Sequence, residues 1–188
     1  MKNLFAIIGL ALLVASCSQP AADQKSGSAD STAQKIERGK YIVTIAGCND
    51  CHSPKMMTDK GPVPDPARLL SGHPENMPLE PYDTSTAKGW MLFNMNLTAM
   101  HGPWGTSFTA NLTPDTATGL GSWTEQQFFT AIRKGWYKGI EGGRMLLPPM
   151  PWQGFAEMTD EDLRSVFAYL KSLPPVKNAV PAAIPPGQ

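Results

Sequence analysis

At 188 residues the chain is long enough for one domain, and its 16 lysines and arginines are balanced by 16 aspartates and glutamates. A net charge of zero leaves no basic footprint, which excludes nucleic acid as an expected partner. With 18 prolines and 17 glycines, the chain is expected to run largely in loops and short elements.

The N-terminus reads as a targeting segment. Lys2 supplies a positive start, Leu4 to Ala15 a short apolar run, and Val14-Ala15-Ser16-Cys17 a bacterial lipobox, at which a signal peptidase cuts before the cysteine. The apolar run is too short to span a bilayer. Residues 1–16 are therefore expected to be a lipoprotein signal peptide. Cys17 would then be acylated and would anchor the protein to a bacterial membrane outside the cytoplasm. Ser18 after it favours the outer membrane by analogy with enteric sorting rules. The alternative is an ordinary secretory signal with Cys17 near its cleavage site. Residues 17–33, rich in Ser, Ala, Gln, Asp and Lys, bury too little to fold and are expected to form a flexible tether.

A domain is expected over 34–176, opening with a helix from about Ala33 to Gly47. Ser31 and Gln34 have capping-box spacing. Ile36, Gly39, Val43 and Ala46 share a face, with Ile42 and Ile45 beside it. A glycine inside a helix costs about 1 kcal/mol relative to alanine, so Gly39 suggests the close approach of another helix.

That helix delivers Cys48-Asn49-Asp50-Cys51-His52, the attachment pattern of c-type haem: the two thiols can add across the vinyl groups while the adjacent histidine ligates iron from one face. Thiol-disulfide exchange would need strand–helix alternation around the pair. Zinc would need further ligands, and His73 and His101 stand at spacings that match no zinc pattern. Lipid on Cys17 and haem on Cys48 and Cys51 account for all three cysteines.

From Met56 to Thr109 no period persists. A structureless loop of that length is unusual in a compact domain, so a short helix or hairpin is expected near Leu69-Leu70 or Trp90 to Asn96, with the apolar side chains packed around the haem edge. A second helix is expected from Thr124 to Lys134, with Thr124 and Gln127 as capping box, Phe128, Phe129 and Ile132 as its inner face and Gly135 as its stop. A glycine–proline loop follows, ending in Leu146 to Trp152. Thr159 and Asp162 open a last helix striped by Leu163, Val166, Phe167, Leu170 and Leu173, and Pro174-Pro175 stops it. Residues 177–188 are expected to be an extended, loosely held Pro/Ala tail.

His52 takes one axial position. For the other, Met150 stands out because flanking prolines limit how far its thioether can swing. His101, His73, Met100 and an open position are the alternatives, the two histidines being by default surface loop residues. Trp123, Trp152, Arg133 and Arg144 are candidate propionate partners.

Cys48-x-x-Cys51-His52 after a glycine-bearing helix, Met150 between prolines, and a capped last helix with Phe167 and Tyr169 resemble the class I mono-haem cytochromes c. The resemblance implies an all-α fold in which the first and last helices cross, at Gly39, and a loop-lined haem crevice. From Gly105 to Val176, Asn111-Leu112-Thr113-Pro114-Asp115, Thr118-Gly119-Leu120-Gly121, Trp123-Thr124, Pro149-Met150-Pro151 and Asp160-Glu161-Asp162-Leu163 are similar to the haem domains of quinoprotein dehydrogenase cytochrome subunits. Those subunits carry more than one haem motif. A single motif here implies a carrier with one covalent haem c, exchanging electrons with a dehydrogenase, a quinol complex or another cytochrome. The competing function is a haem enzyme or gas sensor, peroxidase-like, with an open or displaceable sixth position.

Overall fold

The computed structural model describes residues 27–83 and 86–187. In chain order its elements are α1 (Gly27–Ile45), α2 (Cys48–His52), β1 (Lys55–Thr58), β2 (Gly61–Pro64), β3 (Leu92–Phe93), β4 (Ala99–Gly102), β5 (Gly105–Phe108), α3 (Glu125–Lys134), α4 (Trp152–Phe155) and α5 (Asp160–Ser172). Short 3-10 turns lie at Pro66–Arg68, Thr86–Gly89 and Tyr137–Gly139. The signal segment, Cys17 and the tether up to residue 26 fall outside the described residues.

The core forms where α1 crosses α5. Ile42 and Val43 of α1 pack with Leu163, Val166 and Leu170 of α5, and Leu70, Leu120 and Phe128 close the cluster. Each such side chain contributes about 1.5–3 kcal/mol by leaving water. Gly39 is the point of closest approach. A Cβ built there would lie 1.9 Å from the Ser165 carbonyl oxygen and 2.8 Å from the Tyr169 Cβ. Arg38 Nε, donating to Asp162 Oδ1 at 2.9 Å, ties the start of α5 to α1. Ile45 is 64% exposed, against expectation, because it stands roughly a third of a turn from the Gly39–Ile42–Val43 stripe. α1 also begins earlier than expected, so Ser31 lies inside the helix rather than capping it.

α3 and α5 follow their sequence signals. Thr124 accepts from Gln127 N and Gln127 Oε1 accepts from Thr124 N, and Gly135 ends α3 in the left-handed region at φ 71°. Thr159 Oγ1 accepts from Asp162 N at 3.1 Å to open α5. Phe128 and Phe167 stack at 5.1 Å between the two helices.

The all-α expectation is corrected by two small antiparallel sheets, β1–β2 and β3–β4–β5, within the stretch that had no readable period. Their strands are two to four residues long. β1 is mostly exposed, whereas Ala99 and Met100 of β4 and Thr106 and Ser107 of β5 are buried on both faces, so neither pair writes an apolar–polar alternation into the sequence. β3 falls within the expected Trp90 to Asn96 window, and Pro66–Arg68 supplies a single turn just before Leu69.

The tail is not loosely held. Asn178 is buried, and its amide donates to Ser71 O at 2.7 Å and His73 O at 2.9 Å while its Oδ1 accepts from Glu75 N. Further on, Ile184 exchanges two backbone hydrogen bonds with Thr106 of β5, at 2.8 and 2.9 Å. Gly105 is required there: a Cβ would lie 2.0 Å from Ile184 O.

Candidate haem-attachment site

α1 ends at Ile45, and two residues on Gly47, with a φ of 66°, turns the chain directly into α2. At i, i+3 and i+4 on that single turn, Cys48, Cys51 and His52 share one face. The cysteines are half-buried and His52 is 9% exposed. Burial pushes the Cys48 thiol up to about 11 and raises that of Cys51, where Asp50 adds to the effect and Lys55 opposes it. Both are therefore held as thiols. Burial also lowers the His52 pKa, keeping the imidazole neutral.

The His52 ring is oriented by the backbone. Its Nδ1 lies 2.8 Å from Ala110 O. A carbonyl only accepts, so Nδ1 carries the hydrogen and Nε2 keeps the lone pair that a metal needs. The His52 carbonyl is occupied by Gly72 N at 2.7 Å. Ser53 Oγ donates to Asn49 Oδ1 and accepts from Leu70 N, fixing the exit from α2. A neutral, tautomer-locked imidazole beside two thiols on one helical turn fits the donor set of a covalently attached haem.

Met150 lies half-buried at the end of the glycine–proline loop. That loop is pinned at several places: Leu146 N donates to Gly135 O at 2.7 Å, Tyr137 N to Arg144 O at 2.9 Å, and Met150 N to Leu147 O at 3.3 Å. Most telling is Ser107 Oγ, which donates to Pro148 O at 2.7 Å. Ser107 stands three residues before Ala110, so β5 and its continuation hold the His52 ring with a carbonyl and the Met150 loop with a hydroxyl.

Of the alternative ligands, the two histidines are held elsewhere. His73 is fully buried rather than a surface loop residue. Its Nε2 donates to Met77 O at 3.3 Å and its Nδ1 pairs with Thr98 Oγ1 at 3.0 Å, leaving neither nitrogen for a metal. His101 pairs across the sheet with Thr106, and Met100 with Ser107. Strand alternation therefore puts His101 on the face opposite the one that meets the Met150 loop. There His101 Nδ1 meets Tyr82 OH at 2.8 Å and Thr106 Oγ1 at 2.9 Å. Met100, 3% exposed, shares the Ser107 face.

A cavity of about 400 Å³ lies between residues 77–82 and the β3–β4 edge, and none of the attachment residues lines it. A second, of about 260 Å³, is lined by Met150 and its proline-rich neighbours. Among the candidate propionate partners, Arg133 bonds Asp160 at 2.7 Å and the Ala156 carbonyl, and Arg144 stacks 3.4 Å over Tyr137. Trp123 packs against the core and Trp152 lies against Gly135. No sequence signal marks Ala110, Ser107 or Lys55. Ala110 acts through its backbone, which no side-chain pattern records, and the hydroxyl and the ammonium act across the fold. Among the described residues no three His, Cys, Asp or Glu converge as a metal site, and no helix is long and apolar enough to cross a membrane.

A family model for cytochrome c matches residues 36–174. A nicotinate dehydrogenase subunit from Pseudomonas putida is 39% identical over 84 residues, 45% of this chain and 7% of that protein. The cytochrome c subunit of alcohol dehydrogenase (quinone) from Gluconobacter oxydans is 28% identical over 134 residues, 71% of this chain and 20% of its own. The gluconate 2-dehydrogenase cytochrome c subunit of Pantoea cypripedii is 28% identical over 145 residues, 77% and 24%. The chain thus spans less than a quarter of the length of these relatives.

Proposed function

The chain belongs to the cytochrome c family, and from that premise we propose that it is an electron carrier with one haem c, joined through Cys48 and Cys51 and ligated by His52 and Met150. Family membership implies covalent haem c. When bound, that group supplies a one-electron iron couple. The chain's residues do the rest. Cys48 and Cys51 fix the position of the group, His52 presents Nε2 because Ala110 O holds Nδ1–H, and Met150 offers a thioether from a loop that cannot swing freely. The observation that carries this reading is the short segment from Ser107 to Ala110, which supports both ligands at once. Two ligands held by one rigid support leave little to reorganise when an electron arrives, and imidazole with thioether favours the reduced state.

The single attachment motif supports a single haem, and with it a carrier rather than a catalyst. Relatives named as dehydrogenase cytochrome subunits support a dehydrogenase as the redox partner, with a quinol complex or another cytochrome as the alternatives. The lipobox supports export, removal of residues 1–16 and anchoring through Cys17 to the extracytoplasmic side of a membrane, the outer one by its Ser18.

The test is the optical spectrum of protein matured in a host that attaches haem c, oxidised and reduced, with and without carbon monoxide. A low-spin spectrum with the weak near-infrared sulfur-to-iron band, indifferent to carbon monoxide, is expected. A high-spin spectrum, or rapid carbon monoxide binding, would overturn the His/Met assignment in favour of an enzyme or sensor. Cys17→Ala is expected to release the protein from membranes, and continued membrane association would exclude lipid anchoring.

A further inference from the structure

We propose that Lys55 is a positioning residue for the haem site, holding the end of α2 in place and setting the ferric–ferrous balance through its fixed positive charge. This rests on haem attachment at Cys48, Cys51 and His52.

Lys55 follows His52 by three residues and its ammonium turns back onto the end of α2. It donates to Asp50 O at 2.8 Å, Ser53 O at 2.6 Å and Asn49 O at 3.3 Å. The fourth carbonyl it meets, Asn96 O at 3.3 Å, belongs to the turn between β3 and β4, and Lys55 N also donates to Asn96 Oδ1 at 2.8 Å. A helix end carries unpaired carbonyls and a partial negative charge, so a cation there is favourable. One side chain thus joins the attachment turn to the inserted sheet.

Lys55 is half-buried and its ammonium lies within 3.3 Å of four carbonyl oxygens, so solvent and salt screen it less than a mobile surface lysine. Its field reaches Cys51 and His52, favouring negative charge on the first and opposing positive charge on the second. Ferric haem carries one more positive charge than ferrous haem. A fixed cation on this side therefore disfavours the oxidised state. Asp50 is the opposing charge: its side chain lies on the exposed face of α2, and its effect at Cys51 exceeds that of Lys55, whereas at His52 the acting charge is Lys55.

The experiment compares full-length holoprotein with Lys55→Met, Lys55→Gln and Lys55→Arg by redox titration and optical spectroscopy. With the solution poised at the wild-type midpoint, the oxidised-to-reduced ratio in the two neutral variants should rise about threefold to tenfold, the effect of one unit charge acting through a partly screened site. Tenfold corresponds to about 59 mV for one electron. Lys55→Arg should stay within about twofold of wild type, since it keeps the charge. All variants should keep the wild-type low-spin spectrum. If Lys55→Met does not mature, Lys55→Gln, which retains N–H donors for the same carbonyls, decides. An unchanged ratio in the neutral variant overturns the proposal, and so does an equal shift in Lys55→Arg, which would assign the effect to packing. Wild-type protein without covalent haem would overturn the attachment reading itself, a separate outcome.

Discussion

Gly39→Ala tests the helix crossing because two effects of opposite sign compete at one atom. In an isolated helix the change is stabilising by about 1 kcal/mol, since alanine loses less backbone freedom. At the crossing, the added Cβ would meet Ser165 O at 1.9 Å and Ser165 C at 2.5 Å. Both are backbone of α5 and cannot rotate away. Ordinary van der Waals contact begins at 3.4 Å, so the helices must part by up to about 1.5 Å, loosening Ile42 and Val43 against Leu163 and Val166. Overpacking of this kind costs about 1–3 kcal/mol, and a backbone neighbour places it at the upper end. The net expectation is a loss of about 2 kcal/mol, or about 4–8 °C in Tm for a chain of this size. Thermal unfolding of the holoprotein by far-UV ellipticity measures it. Gly154→Ala is the control: it lies in α4 with nothing within 4 Å of the added atom, and should leave Tm unchanged or raise it. If Gly39→Ala raised Tm as the control does, no helix would lie against Gly39 and the crossing would be wrong.

Met150→Ala should let reduced protein bind carbon monoxide readily, read by optical titration, and indifference to the gas would move the ligand elsewhere. Ser107→Ala removes the hydroxyl that holds Pro148 O. It should cost about 0.5–1.5 kcal/mol and speed carbon monoxide binding, whereas an unchanged rate would mean that the loop is held without it. Asn178→Ala strands Ser71 O, His73 O and Glu75 N. A loss of about 1–3 kcal/mol and faster proteolysis after Leu173 are expected, and a tail that stays protected would show that the backbone contacts at Val176, residue 178 and Ile184 retain it. Burial holds the His73 pKa below its ordinary 6.5, so the unfolded chain takes the proton first. His73 therefore contributes stability that is complete above about pH 6.5 and is lost as pH falls through that value and below it. His73→Asn should flatten the dependence of Tm on pH between about 7 and 5, and an equal slope in both proteins would assign the dependence to other groups.

The parts legible in the sequence are those whose cause is local. Covalent attachment needs two thiols and an imidazole on one turn, so the requirement is written in five consecutive residues. The caps at Thr124 and Thr159 are likewise settled within three residues of themselves. The sheets escaped because their cause is not local: Met100 is buried by its place beside Ser107 and the Met150 loop, and nothing in its neighbours announces that. The same holds for His73, which flanking Gly72 and Pro74 mark as a loop residue. It is buried because its Nδ1 meets Thr98, 25 residues on, and because Asn178, 105 residues on, closes over its carbonyl.

The site divides along the same line. His52 could be named as a ligand from its neighbours, but which nitrogen it presents depends on Ala110 O, 58 residues away. Every residue type carries a backbone carbonyl, so the requirement falls on the path of the chain and not on the identity of Ala110. That path is determined by the pairing of β5 with β4 on one side and with Ile184 on the other. The small sheet is therefore more than an addition to a helical fold: it is the frame that carries the carbonyl orienting the His52 ring and the hydroxyl restraining the Met150 loop. Changes that shift β5 should alter the spectrum of the iron before they unfold α1 and α5, since the core beneath those helices is built from other residues.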